Sequence, residues 1–191
     1  MEDFPKRYNP GDIEPKWLGF WENNNLFTPQ VPTKKDKFTI VVPPPNITGQ
    51  LTLGHIFNNT IQDVLIRYKR LRGYEVLWLP GMDHAGIGTH VVVEEKLANE
   101  GKNRESLGRQ AFVEEVWKWK EHYATIIKKQ FKRMGCSLDW SREKFTLDED
   151  LSRAVIKVFV WLYNKKFIYR GKYIVNWCPR CRTAISDEQV T

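Results

Sequence analysis

The sequence predicts an α/β fold, a Rossmann-like parallel sheet with flanking helices. Two short apolar runs, residues 38–42 and 74–79, are rich in β-branched and aromatic residues and have the length of buried strands. A Pro- or Gly-broken turn follows each run and leads into a segment with helical periodicity. Because strand–helix–strand–helix units form parallel sheets with right-handed crossovers, we expect the two strands to be neighbours with their carboxyl ends at one edge.

The elements around this unit can be read in order. A helix is predicted over 12–23, and a Pro- and Lys-rich linker over 28–37. The helix over 53–71 is expected to end at Gly73. Its apolar residues recur at spacings of three and four along one face: Phe57, Ile61, Val64, Leu65 and Tyr68. The aromatic residues of the helices are predicted to be core residues.

The second half of the chain is predicted to contain more helix and two further strands. A second helix covers 91–97, a polar connection covers 100–106, and a long helix over 112–134 ends at Gly135. A loop over 136–144 follows. Thr146 and Glu149 form a predicted capping box for a helix through residue 163. Two strands are predicted after it, over 168–169 and 173–177.

We divide the chain into three predicted parts. Residues 1–37 form a helix and linker, residues 38–177 form a Rossmann-like part, and residues 178–191 begin with a cysteine knuckle. None of the apolar runs approaches the ~18 residues of a membrane span, and the N-terminal Met1–Lys6 lacks the apolar core of a secretion signal. Three cysteines, an odd number, argue against a disulfide framework. We therefore expect a cytoplasmic protein with no membrane partner.

The net charge of +7 is unevenly distributed along the sequence. No acidic residue lies between Leu151 and Ser186, a segment that contains eight basic residues: Arg153, Lys157, Lys165, Lys166, Arg170, Lys172, Arg180 and Arg182. A second basic cluster ends the first long helix: Arg67, Lys69, Arg70 and Arg72. Such clusters favour a polyanionic partner, although a solvated helix face has the same composition.

The most informative segment is the string Pro-Pro-Pro-Asn-Ile-Thr-Gly-Gln-Leu-Thr-Leu-Gly-His, residues 43–55. It joins the first strand to a helix, so backbone N–H groups and the positive end of the helix dipole lie at the carboxyl edge of the sheet, where phosphates bind. Gly54 has no side chain, so a base or a phosphate can approach its backbone closely. The imidazole of His55 can donate a hydrogen bond to a phosphate or a ribose hydroxyl.

A second string, Met-Asp-His-Ala-Gly-Ile-Gly-Thr-His, covers residues 82–90 directly after the second strand. A carboxylate at this strand end is suited to an α-ammonium group, because a charge-assisted hydrogen bond is strong where water is limited. Asp83 is also well suited to cap the following helix. The residues alone leave both roles open for Asp83.

Together the two strings closely resemble the class I aminoacyl-tRNA synthetases, and among them the valine-specific branch. The family tetrapeptide is His-x-Gly-His, and Thr52 replaces its first histidine in this sequence. The resemblance implies that Thr52 and His55 are catalytic and bind ATP together with Gly54. It also implies that the amino acid is bound by four residues: Pro44, Pro45, Asn46 and Asp83.

A Cys-x-x-Cys knuckle, Cys178 and Cys181, follows the last predicted strand. Two thiolates supply half of the four ligands of a structural zinc ion. The sequence is similar here to synthetases in which a later cysteine pair completes the site, so Zn²⁺ is expected only if a second pair is supplied. An empty knuckle and a redox pair are the alternatives.

The resemblance implies ATP- and Mg²⁺-dependent activation of valine and its transfer to tRNA(Val). The chain resembles only the opening catalytic half of such enzymes, with residues 38–177 as a nucleotide-binding half-domain and residues 178–191 as the knuckle and the start of the editing-domain insertion site. We therefore expect a truncated half that needs the remainder of the synthetase, including its Lys-Met-Ser-Lys-Ser loop. Two alternatives remain open. One is a non-catalytic ATP- or tRNA-binding fragment or paralogue. The other is a small nucleotidylyltransferase, a class whose tetrapeptide is often Thr-x-Gly-His, as at Thr52–His55.

Overall fold

The computed structural model describes residues 7–187 and 190. The predictions made for Met1–Lys6 and for the last few residues of the chain lie outside this part. The chain divides into two compact units, the first ending at Asp148 and the second beginning at Glu149. The three-part division drawn from the sequence remains a prediction.

The first unit contains four helices and four strands among its described residues. A short 3₁₀ helix, Trp140–Arg142, precedes the last strand. In chain order the elements are α1 (Pro10–Asn23), β1 (Lys37–Val41), α2 (Leu53–Leu71), β2 (Glu75–Leu79), β3 (Gly81–Met82), α3 (Ile87–Asn99), α4 (Arg104–Arg133) and β4 (Lys144–Phe145).

β1 and β2 are parallel neighbours, as the sequence predicts, with Lys37 opposite Glu75 and Val41 opposite Leu79. β3 and β4 form a second parallel pair, which the sequence analysis missed because two-residue strands carry no periodicity. The core lies around Trp78 of β2, which is fully buried. Residues of α2 and α4 pack in the same cluster, so both helices position the carboxyl edge of the β1–β2 pair.

The prediction that Gly73 ends α2 is confirmed. Gly73 has φ +87°, a conformation that glycine adopts without strain. Its N–H donates to the carbonyl of Arg70 at 2.9 Å, and the next N–H, of Tyr74, donates to Lys69 at 3.2 Å. This pair of bonds is a Schellman motif and satisfies two carbonyls at the helix end.

The apolar face of α2 does not lie in the core, and the prediction for its aromatic residues is wrong. Phe57 is 70% exposed and Tyr68 is 52% exposed. The buried residues of this helix are Asn59 and Ile66. The periodicity predicted one apolar face correctly, but none of the elements described in this unit covers it.

The basic cluster at the end of α2 is partly used inside the unit. Arg67 donates to Asp63 at 2.7 Å and to the carbonyl of Gly135 at 2.6 Å. Arg70 donates to the hydroxyl and the carbonyl of Ser137. Burial lowers the pKa of Arg70 to about 10. These two guanidinium groups therefore tie α2 to the segment after α4 rather than presenting their charge to a partner.

α4 begins earlier than predicted, and the polar connection at 100–106 is shorter than expected. Asn103 accepts the N–H of Ser106 at 2.7 Å, and Ser106 accepts the N–H of Asn103 in return. This reciprocal capping starts the helix at Arg104. Gly108, with φ +74°, interrupts the helical backbone, so the regular part of α4 follows it.

The second unit contains helix α5 (Glu149–Asn164) and an antiparallel pair, β5 (Asn176–Cys178) and β6 (Thr183–Ile185). The strand predicted at 168–169 is wrong. Of the strand predicted at 173–177, only residues 176 and 177 form a strand, as part of β5. The aromatic residues of α5 are exposed, Trp161 by 55%, which also contradicts the prediction of core aromatics.

The predicted capping role of Thr146 is wrong. Its hydroxyl accepts the backbone N–H of His84 at 3.0 Å, within the first unit. None of the helices in the described part of the chain is long and apolar enough to cross a membrane.

Candidate functional site

The loop after β1 and the segment after β2 are joined at the carboxyl edge of the sheet. Asn46 and Asp83 form an isolated parallel bridge. Asp83 donates its N–H to the carbonyl of Pro45 at 2.9 Å, and its carbonyl accepts the N–H of Ile47 at 3.0 Å. The predicted amino-acid-binding residues Pro45, Asn46 and Asp83 are thereby brought together, with Pro44 next to them in the chain.

The Asp83 side chain lies beside this bridge and is about one third exposed. Its Oδ1 accepts the N–H of Ala85 at 2.8 Å and lies 3.4 Å from Nδ1 of His84. Helix α3 starts later, with Gly86 at its N-cap position. The alternative role of Asp83 as the cap of that helix is therefore wrong, and its carboxylate stabilises only the local turn.

Both of the nearby histidines make contacts within the first unit. Nδ1 of His84 lies 2.6 Å from the Thr146 hydroxyl, and its carbonyl accepts the hydroxyl of Thr89. His90 packs edge-on against Phe112. Burial lowers the pKa of His90 below its ordinary value, and the nearby positive charge of Arg104 lowers it further.

Thr52 and His55 are hydrogen-bonded to each other at the start of α2. The Thr52 N–H donates to His55 Nδ1 at 3.1 Å, and the Thr52 hydroxyl lies 2.8 Å from the same nitrogen. Because Nδ1 accepts a hydrogen bond, the neutral imidazole carries its proton on Nε2. His55 therefore has a donor available on the far side of the ring, at the N-terminus of the helix.

Among residues 7–187, none makes a contact that requires a glycine at position 54. A Cβ atom there would meet only the hydroxyl oxygen of Thr52, at the ordinary contact distance of 3.7 Å. Gly54 is also outside the group of glycines with positive φ. The reason for a glycine at this helix start must then be sought in what approaches it from outside.

The cysteine knuckle lies in the β5–β6 hairpin. The N–H of Cys181 donates to Sγ of Cys178 at 3.4 Å, and this backbone hydrogen bond lowers the pKa of the Cys178 thiol. A backbone N–H that stabilises a thiolate suits a metal ligand. Within residues 7–187, however, no cluster of three or more metal-binding side chains is found. The two cysteines therefore fit half of a four-ligand zinc site.

Two residues of α4 that contact the loop between β1 and α2 were missed by the sequence analysis. Trp119 Nε1 donates to the carbonyl of Ile47 at 2.8 Å, and Gln130 Oε1 accepts the N–H of Leu51 at 2.9 Å. The only sequence feature that could have indicated them is their spacing, which places Trp119 and Gln130 three helical turns apart on one face of α4. Their partners are 72 and 79 residues away in sequence, so a single sequence could not pair them.

The sequence matches the family of class I tRNA synthetases (I, L, M and V) over residues 16–191. It is 56% identical over its whole length to the valine–tRNA ligase of Thermotoga maritima, and 54% identical over 189 residues to that of Halalkalibacterium halodurans. The chain spans 22% of the length of each of these relatives.

A solved structure is similar as well. It is the agnB2 LeuRS of Agrobacterium radiobacter K84 in a ternary complex with tRNA and LeuAMS. The TM-score is 0.79 at 25% identity, covering 97% of this chain and 22% of that one.

Proposed function

The chain belongs to the class I tRNA synthetase family, and on that premise we propose that it is the first catalytic half of an enzyme that activates valine with ATP and transfers it to tRNA(Val). In the activation step the carboxylate of valine attacks the α-phosphate of ATP. Valyl-adenylate forms and pyrophosphate leaves. A terminal hydroxyl of the tRNA then attacks the carbonyl of valyl-adenylate, so that the acyl group passes to the tRNA and AMP leaves.

One observation carries this proposal. Two features follow strands of the same parallel pair and so belong to its carboxyl edge. They are the bridge between Asn46 and Asp83 and the hydrogen-bonded pair Thr52 and His55. An ammonium site and a phosphate site then share one edge of the sheet, as a reaction between an amino acid and a nucleotide requires. Chemistry of this kind depends mainly on positioning and on stabilising charge on the phosphates.

The proposed roles follow from the side chains. Asp83 binds the α-ammonium group, and Pro44, Pro45 and Asn46 line the amino-acid side of the site. His55 donates from Nε2 to ATP, while Gly54 lets the nucleotide approach the helix start. Mg²⁺ accompanies ATP, because it binds phosphate oxygens and keeps several waters.

For Thr52 the proposed role is to orient His55 through their shared hydrogen bond.

We place the tRNA on the second unit. Its eight basic residues are all exposed, and the segment from Leu151 to Ser186 contains no acidic residue. Counterion release would make binding there strongly salt-dependent.

Other parts of the function remain proposals of the same kind. We propose that the remainder of the synthetase is a partner of this chain and that the protein is cytoplasmic. We also propose that Cys178 and Cys181 bind Zn²⁺ once a second pair of ligands is supplied.

The test of the proposed function is amino-acid-dependent exchange of pyrophosphate into ATP. Valine, isoleucine, leucine and methionine are offered one at a time to the purified chain together with the remainder of the synthetase, which we propose as its partner. We expect exchange with valine above the other three amino acids. Exchange that is stronger with one of the other three would overturn the proposed substrate.

A non-catalytic ATP- or tRNA-binding module is the second candidate. It is favoured by the Thr52 hydroxyl, which is directed at His55 Nδ1 rather than left free for a phosphate. ATP binding without any pyrophosphate exchange would support this candidate. The family match leaves a small nucleotidylyltransferase without support.

A further inference from the structure

We propose that Trp119 and Gln130 of α4 are positioning residues that hold the two ends of the loop from Asn46 to Thr52. Trp119 sets the amino-acid end of the loop, and Gln130 sets the nucleotide end. The identity of the two ligands rests on the proposed function, whereas the positioning itself rests on contacts within the chain.

At the amino-acid end, Ile47 is held through both of its backbone groups. Its carbonyl accepts the Trp119 indole N–H at 2.8 Å, and its N–H donates to Asp83 at 3.0 Å. Its side chain is buried. The Trp119 ring is itself packed against Tyr123, with ring centroids 4.4 Å apart. The position of Asn46 relative to Asp83 therefore depends on Trp119.

At the nucleotide end, Gln130 accepts the N–H of Leu51 at 2.9 Å. Leu51 is buried and directly precedes Thr52, the N-cap of α2. The backbone position of Leu51 sets the direction in which the chain enters the helix. Gln130 therefore fixes the helix start that carries Gly54 and His55.

Because both contacts come from one rigid element, α4 sets the spacing between the two ends. Trp119 and Gln130 are three turns apart, about 16 Å along the helix. Ile127 and Phe131 of the same helix are buried in the core, so α4 cannot shift without repacking it. A catalytic loop held at both ends by a fixed helix is preorganised for two ligands.

The test uses variants that remove one contact at a time. Gln130→Leu removes the acceptor, Gln130→Glu keeps an oxygen acceptor at the same reach, and Trp119→Phe removes the indole N–H but keeps an aromatic ring. Gln110→Leu is the matched control, because Gln110 is an exposed glutamine of the same helix. Each variant of the full chain is studied by amide hydrogen exchange and by calorimetry with ATP and with valine.

We expect each variant to affect one end of the loop. Gln130→Leu should speed exchange of the Leu51 amide and weaken ATP binding, each about fivefold, the effect of losing one hydrogen bond, while valine binding is retained. Gln130→Glu should restore both. Trp119→Phe should speed exchange of the Ile47 amide and weaken valine binding by a similar factor, with ATP binding retained.

A merely structural role would weaken both ligands equally in both variants, and that result would overturn the proposal. Failure of Gln130→Glu to restore the Leu51 amide would also overturn it. If the unmutated chain binds neither ATP nor valine, the proposed function fails. Amide exchange then decides the positioning by itself: faster exchange confined to Leu51 or to Ile47 supports it, and unchanged exchange refutes it.

Discussion

Replacing Gly54 by alanine should stabilise the fold and impair ATP binding at the same time. The added methyl group meets only the Thr52 hydroxyl oxygen, at 3.7 Å, so no strain is expected. Alanine in place of glycine within a helix stabilises a protein by about 0.4–1 kcal/mol. If ATP lies against this helix start, the same methyl group occupies its space, and we expect ATP affinity to fall at least about tenfold, or ~1.4 kcal/mol.

Two measurements on the same protein decide this prediction. Urea unfolding gives the change in the free energy of unfolding, and calorimetry gives the change in ATP affinity. Gly19→Ala in α1 is the control, because a Cβ atom at that position meets nothing within 4 Å. It should stabilise the chain by a similar amount and leave ATP binding unchanged. Unchanged ATP affinity in Gly54→Ala would refute the placement of the nucleotide, and a loss of stability would refute the packing argument.

Asp83→Asn keeps the oxygen that accepts the Ala85 N–H but removes the charge. Removing one partner of an ion pair that the bound ligand shields from water costs at least about 2 kcal/mol, so valine affinity should fall at least about thirtyfold by calorimetry. The control Asp36→Asn, at the opposite end of β1, should not change it. The pKa of His90 is lowered by burial. Acidification from about pH 7.5 to about pH 5 therefore protonates His90 in the unfolded chain before it protonates His90 in the folded chain, which destabilises the fold. Urea unfolding should show a smaller loss for His90→Gln, and equal losses would contradict the burial of His90. Because burial raises the pKa of Cys136 to about 12 while that of Cys178 is lowered, iodoacetamide should modify Cys178 first when followed by mass spectrometry, and earlier modification of Cys136 would contradict this order.

The sequence predicted the elements whose signals are local. The β1–β2 pair follows from two β-branched and aromatic runs, and the end of α2 follows from the conformational freedom of Gly73. The start of α4 was misplaced because the reciprocal capping of Asn103 and Ser106 competes with a polar composition that is typical of loops. The hydroxyl of Thr146 was assigned to a helix cap, but a residue distant in sequence, His84, uses it.

The site was predictable only in part, for a physical reason. Asp83 and Gly54 follow different strands of one parallel pair. Topology predicts that both lie at the same edge of the sheet, because the carboxyl ends of parallel strands meet there. Trp119 and Gln130 contact backbone groups of the loop from a separate helix. Every residue has such backbone groups, so the residue types on either side of the contact do not predict it. The exposure of Phe57 could not be foreseen either, because periodicity identifies a face but not what covers it.

The central claim is that the carboxyl edge of β1 and β2 binds an amino acid and a nucleotide side by side. Binding of a non-hydrolysable valyl-adenylate analogue to the full chain, followed by backbone amide NMR shifts, tests it most directly. We predict that the largest shifts occur together at the proposed amino-acid site, Asn46 and Asp83, and at the proposed nucleotide site, Gly54 and His55. Shifts that are confined to one of these two sites, or that lie elsewhere in the chain, would contradict the account.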